Sequence, residues 1–245
     1  MSPKIAFCFL LKDQIEHLDI WSQFFKNANP NKYSIYAHPK FISNKLPPWI
    51  INNTIETIKT EWCGESLVSA CVNMFKKALE DRNNKYFILV SGSCVPLYTF
   101  KDLYKIITVE KKSRIHSMTL TKKGESYLYA DQWILLNRYI AKIFIEIENN
   151  YDLVRQLYYE SDQISSHCPD EMYPILFLLE RLNPAEFQNN INAKYLTYTK
   201  WRKGLSSPLK IRNEVPLEEL CDSGALFARK FFKKSVKKFG MACKG

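Results

Sequence analysis

The chain lacks a long apolar run: the best, Ile5 to Leu11, stops at Lys12 and Asp13, far short of the roughly 18–20 residues that a membrane-spanning helix needs. The same run is too short, and too soon followed by charge, for a secretory signal. It suits a buried first strand. No C-x-x-C pair occurs among the seven cysteines, Cys8, Cys63, Cys71, Cys94, Cys168, Cys221 and Cys243. That pattern fits neither a zinc ribbon nor a disulfide framework, so free thiols in a reducing compartment are expected. The four histidines, His17, His38, His116 and His167, never stand at i,i+4, the spacing that puts two imidazoles on one helix face, so no histidine-built metal site is expected. With only 7 glycines and 11 prolines in 245 residues, and 46% hydrophobic against 24% charged residues, collagen, coiled coil and disorder are excluded as the main state.

What is there is a globular chain whose length fits one core. One domain over residues 1–245 is expected, with a basic helix or tail from about residue 232 to 245 that carries Lys233, Lys234, Lys237 and Lys238. Lys and Arg outnumber Asp and Glu by 35 to 25, a formal charge of +10. A basic surface attracts anionic substrates, membranes or nucleic acid; no recognisable nucleic-acid motif accompanies it, and a basic nucleic-acid-binding protein is the third-ranked reading.

The apolar runs Ile5–Leu11, Ser34–His38 and Tyr86–Val90 are bounded by turn residues, as strands covered on both faces are. Between the second and third, Val68, Cys71, Met74, Phe75, Ala78 and Leu79 keep helical spacing behind Ser66, a candidate N-cap, with Asp81 at the exit. Strand, helix, strand in that order predicts a βαβ unit with ligand loops at the carboxyl ends of the strands, after Leu11, His38 and Val90. Further on, the spacing predicts helices over Asp131–Glu148 and Glu171–Leu182.

Three features could carry chemistry. In Cys168-Pro-Asp-Glu171 the proline and Asp170 start a helix, which places Glu171 in its first turn, where the macrodipole favours a carboxylate suited to general-base work. The alternative is a capping Asp170 and a decorative Glu171. No D-x-D pair exists, so if the chain handles a nucleotide, protein cations replace the usual divalent ion. Arg229-Lys230, after the apolar Ala225–Ala228, suits that task, with surface charge as the alternative. Trp62, Trp133 and Trp201 stand beside polar residues; their flat faces suit a base or a sugar, or simply the core.

In order, Ile15-Glu-His-Leu-Asp19, Tyr36-Ala-His38, Glu61-Trp-Cys-Gly-Glu-Ser-Leu-Val68 and Phe87-Ile-Leu-Val-Ser-Gly-Ser-Cys-Val-Pro-Leu97 are followed by Asp131-Gln-Trp133, Pro169-Asp-Glu171, Lys200-Trp201 and Leu226-Phe-Ala-Arg-Lys-Phe231. Together they resemble the core-2/I-branching β-1,6-N-acetylglucosaminyltransferase family, with its plant-like and peptide O-xylosyltransferase relatives. The resemblance implies an α/β, GT-A-type glycosyltransferase fold: a Rossmann-like nucleotide-binding half and a mainly parallel central sheet flanked by helices. It implies a metal-independent, inverting transfer of a sugar, GlcNAc first with xylose or another sugar behind it, from a UDP-sugar to a hydroxyl of a glycan or glycoprotein. Glu171 falls on the family's catalytic base. Leu11, Lys12, His38, Trp62, Arg229 and Lys230 fall on nucleotide-sugar contacts, and Gln132, Trp133, Asp170 and Trp201 on acceptor or sugar contacts. No cofactor, metal or nucleic-acid partner is implied.

The chain departs from the family at His38, where many members have aspartate, at Cys94, which replaces another aspartate, and in lacking a counterpart of an upstream arginine. His38 and Cys94 motivate the second reading, a catalytically inactive carbohydrate- or nucleotide-sugar-binding relative. With no anchor or stem evident, a bare catalytic domain in the cytoplasm or another reducing compartment is expected. The Lys-, Asn- and Ile-rich composition suits an AT-rich microbial or large-DNA-virus genome.

Overall fold

The computed structural model describes residues 2–122, 125–162, 168–202, 208–212 and 215–245. From the N-terminus run β1 (Lys4–Leu11), α1 (Leu18–Lys26), β2 (Tyr33–Pro39), α2 (Pro48–Ile51), α3 (Glu65–Glu80), β3 (Asn84–Ser91), β4 (Val95–Pro96) and α4 (Phe100–Glu110). Next come β5 (Ser113–Arg114), β6 (Ser117–Lys122), β7 (Glu125–Ala130), β8 (Leu135–Asn137), α5 (Arg138–Phe144), α6 (Tyr151–Asp162) and α7 (Pro169–Arg181). The rest is α8 (Pro184–Asn190), β9 (Ile191–Asn192), β10 (Thr197–Thr199), α9 (Leu217–Asp222), β11 (Phe227–Arg229) and α10 (Val236–Phe239). A six-stranded sheet has the order β2-β1-β3-β8-β5-β9, a second sheet the order β10-β11-β4, and β6 and β7 form a hairpin.

β1 lies parallel between β2 and β3, and Ile5 to Leu11 are all buried, which is why the run is apolar without alternation. Successive side chains still point to opposite faces. Phe7 and Phe9 meet Trp21 of α1 at 6.4 and 4.8 Å between ring centroids, and Phe7 also meets Phe100 of α4 at 6.4 Å. Cys8, on the other face, sits close to Cys71 of α3, and burial pushes its thiol up. Small residues there let α3 approach the sheet, and Phe75 of α3 packs on Phe87 of β3 and Phe144 of α5 at 6.1 and 5.2 Å. The mostly parallel central sheet flanked by helices agrees with the expected GT-A-like fold.

Three expectations are corrected. The predicted helix Asp131–Glu148 is a turn, a strand and then a helix: Leu135 and Leu136 pair with Ile88 and Phe87 of β3, and the helix begins only after Asn137, whose Oδ1 accepts the Ile140 N–H at 2.9 Å. Short apolar runs satisfy both periods, and burial against β3 decides. Gly64, not Ser66, is the N-cap of α3, and Ser66 Oγ accepts the Glu61 N–H instead. Within the expected basic helix or tail, Val236–Phe239 is helical. Free thiols hold for buried Cys8, Cys71 and Cys94 alone: Cys63 is bonded to Cys168, and Cys221 to Cys243. These pairs are 105 and 22 residues apart, so tertiary folding makes them and no local spacing announces them.

At the end of β3, Gly92 lets two loops touch. A Cβ there would lie 2.3 Å from the Gln14 carbonyl oxygen, and the Glu16 N–H donates to the Gly92 carbonyl at 2.8 Å. Overpacking such a junction costs roughly 1–3 kcal/mol. Gly92→Ala is therefore expected to lower unfolding stability by about that amount in urea titrations, and an unchanged midpoint would refute the close approach.

Candidate active site

Because β1 and β3 run parallel side by side, the loops that follow them leave from the same edge of the sheet. Glu16 of the first loop meets Gly92 of the second, and Trp21 Nε1 donates to the Cys94 carbonyl at 2.9 Å, fixing the floor from below. β11 lies antiparallel to β4, with Ala228 opposite Val95, which delivers Arg229 and Lys230 over this floor.

The two cations are crowded and poorly solvated. The Arg229 guanidinium stacks on the Trp133 ring at 4.6 Å, and its Nε is buried without a hydrogen-bond partner. Burial holds Arg229 below its ordinary range. Lys230 is lowered by burial first, then by Arg229 and Lys210, with Glu16 opposing. His17 is buried and also lowered, chiefly by desolvation. The planar Arg229 guanidinium presents a fork of donors, a geometry that can hold an anion such as a phosphate bidentately. Sequence reasoning assigned no role to Glu16, His17 or Lys210. Glu16 and His17 lie in a quoted motif, but Lys210 has no local signal: it arrives because the Ile211 N–H donates to the Lys230 carbonyl beside the Ile211–Phe231 bridge.

The carboxylates enter from α7. Pro169 occupies its first turn, Cys168 is the N-cap, and the Glu171 N–H donates to the Cys168 carbonyl at 2.9 Å. Asp170 is only 9% exposed, with Oδ1 lacking a hydrogen-bond partner. Burial, and then the neighbouring Glu171, push its carboxyl up to about 7. Asp170 and Gln132 line one small cavity together with Cys71 and Phe144, so the Gln132-Trp133 turn touches the α7 side through Gln132 and the cation side through Trp133.

The remaining expected residues differ in exposure and in what they hold. Trp62 is 79% exposed at the start of α3. Trp201 is 53% exposed, with Nε1 donating to Thr199 Oγ1 at 3.0 Å, and Thr199 is the β10 register partner of Arg229. Lys12 is exposed, but its carbonyl accepts the Phe41 N–H at 2.9 Å. Leu11 is buried and its carbonyl accepts the Lys40 N–H, and His38 is wholly buried. His38 Nε2 accepts the Ile58 N–H at 2.9 Å and desolvation lowers its pKa. The neutral imidazole thus holds the segment leading to Trp62 from behind.

Asp170 makes stability depend on pH. Its folded pKa of about 7 lies above the ordinary carboxylate value, so the contribution is full below about pH 4 and lost as pH rises through the folded value. Denaturation of wild type and Asp170→Asn across that range is expected to show wild type losing ground to the variant as pH rises; a constant difference would refute the assignment.

The Core-2/I-Branching enzyme family model matches residues 5–130. Glycosyltransferase BC10 of Oryza sativa subsp. japonica is 27% identical over 165 residues, which cover 60% of this chain and 41% of the relative. The chain therefore spans well under half the length of that relative. The family match takes in β1 to β7, with both loops that form the floor of the site and the α3 start, and the chain belongs to the Core-2/I-Branching enzyme family.

Proposed function

We propose that the chain is a glycosyltransferase that moves a sugar from a UDP-sugar to a hydroxyl of a glycan or glycoprotein, by one inverting displacement and without a divalent metal. The observation that carries this reading is the desolvated Arg229–Lys230 pair beside Trp133, joined through Gln132 to the first turn of α7. GlcNAc is the first donor sugar to test, then xylose.

In this mechanism Glu171 takes the proton of the acceptor hydroxyl as its oxygen attacks the anomeric carbon. The bond from that carbon to the diphosphate breaks, and the leaving group carries its charge toward Arg229 and Lys230. Cations already fixed where charge develops stabilise the transition state without reorganising. One carboxylate suffices, since no covalent intermediate is made. Lys12 and Trp62 contact the nucleotide, with Leu11 and His38 supporting them from within. Gln132, Trp133, Asp170 and Trp201 line the sugar and acceptor side. The two disulfides favour an oxidising compartment over the reducing one expected from cysteine spacing.

Two measurements test this. Glu171→Gln is expected to retain donor-induced thermal stabilisation while kcat falls by roughly 10²–10⁴; full turnover in that variant would remove Glu171 from the mechanism. Lys230→Ala, titrated with UDP-sugars in EDTA, should bind donor about one to two orders of magnitude more weakly, as loss of a charge-assisted hydrogen bond of roughly 1.5–3 kcal/mol implies. Unchanged affinity, or binding that requires added manganese, would overturn the metal-free diphosphate site.

A further inference from the structure

We propose that the Cys63–Cys168 disulfide is a positioning bond for Glu171, fixing the first turn of α7 to the loop that carries Trp62 so that the proton acceptor keeps its place relative to the donor. The inference rests on the proposed transfer reaction.

The bond joins two points that are 105 residues apart, with Cα atoms 4.7 Å from one another. Cys63 follows Trp62 directly and precedes Gly64, the N-cap of α3. Its loop is internally braced, for Ser66 Oγ accepts the Glu61 N–H at 2.9 Å and the Gly64 N–H donates to the Glu61 carbonyl at 3.2 Å. On the other side Cys168 is the N-cap of α7 and makes no side-chain capping hydrogen bond. Its sulfur is committed to the loop, while its carbonyl holds the Glu171 amide. Motion of Cys168 is thus transmitted to Glu171 within a single turn.

A second tie shows that the bond is not needed merely to hold the helices together. Glu65 of α3 accepts two hydrogen bonds from Arg155 of α6, at 2.7 and 2.8 Å, and one from Tyr173 Oη of α7 at 3.3 Å. The disulfide at 168 and the Tyr173 contact therefore bracket Glu171 from both sides. Losing the first leaves α7 anchored through the second, and frees only the turn that carries the carboxylate. The other disulfide, Cys221–Cys243, instead ties α9 to the C-terminal segment, where the Cys243 N–H donates to the Leu97 carbonyl.

The test compares Cys63→Ser, Cys168→Ser and the double variant with the control Cys221→Ser/Cys243→Ser, reading kcat, donor affinity by calorimetry and amide exchange along α7. Displacing a reacting group by about an ångström costs up to roughly 100-fold. Each single variant and the double are expected to lose the same ~10- to 100-fold in kcat, with donor affinity within about twofold of wild type and faster exchange at Glu171–Tyr173, while the control changes neither readout. A folded double variant with wild-type kcat, or single losses that multiply in the double, would overturn the proposal. If the serine variants do not fold, the control protein is reduced with dithiothreitol, which gives two electrons to the Cys63–Cys168 bond, yielding two thiols and the cyclic disulfide of the reagent. Activity lost on reduction and regained on reoxidation supports the bond's role; activity unchanged once both thiols are free overturns it. Wild type that binds donor yet transfers nothing would sink the proposed reaction, and exchange at Glu171–Tyr173 alone would then decide whether the bond orders that turn.

Discussion

The burial of β1 on both faces is the constraint from which the rest of the architecture follows. A strand with neighbours on both edges and helices on both faces has no solvent side, so its sequence must be apolar throughout and its polar backbone must be fully paired. Parallel pairing with β2 and β3 supplies that, and parallel pairing also sends the loops after β1 and β3 out of the same edge. The meeting of Glu16 with Gly92 is thus a consequence of sheet topology. Bulk on one face and small side chains on the other complete the logic: Phe7 and Phe9 fill the space under α1 and α4, while Ala6 and Cys8 admit α3 closely enough to bring its N-terminus, with Trp62 and Cys63, toward the same edge.

Electrostatics at that edge works against folding. Arg229 and Lys230 are adjacent like charges, and Lys210 adds a third; burial disfavours the protonated form of both, and repulsion from Arg229 and Lys210 adds to it at Lys230. On the carboxylate side Asp170 is buried beside Glu171 and is disfavoured as an anion for the same two reasons. An arrangement that separates a cationic pocket from an acidic helix start, with Trp133 and Gln132 between them, is unfavourable when empty, and in the proposed transfer a diphosphate and an incoming hydroxyl would relieve it. Charge prearranged at a cost in stability is what a catalyst of group transfer requires.

The central elements were legible in the sequence because local patterns encode them. Continuous apolar runs marked β1, β2 and β3, 3/4 spacing marked α3, and Pro169 with Asp170 marked the start of α7. What was not legible depends on contacts between distant segments. Leu135 and Leu136 read as helix because only their pairing with β3 makes them strand. Lys210 gave no signal because a bridge to Phe231 brings it to the site. His38 stood in a recognisable motif, yet its complete burial follows from the 54–58 segment that folds over it. The cysteines failed most fully: pairing across 105 residues leaves no trace in spacing, and an odd total hides the pairs among buried free thiols.

The start of α7 shows why these long-range ties matter to the site. A helix N-terminus is the least constrained part of a helix, since its first amides have no intrahelical acceptor. Here Pro169 contributes no amide, and Pro174 has none to offer the Asp170 carbonyl four residues back. The turn that holds both carboxylates is therefore weakly bonded from within. Its order has to be imposed from outside, and the structure supplies that through the sulfur of Cys168 on one side and the Tyr173–Glu65–Arg155 contacts on the other. A carboxylate placed on a turn with weak internal bonding and strong external bracing can sit close to the substrate without the surrounding backbone filling the space that substrate must occupy.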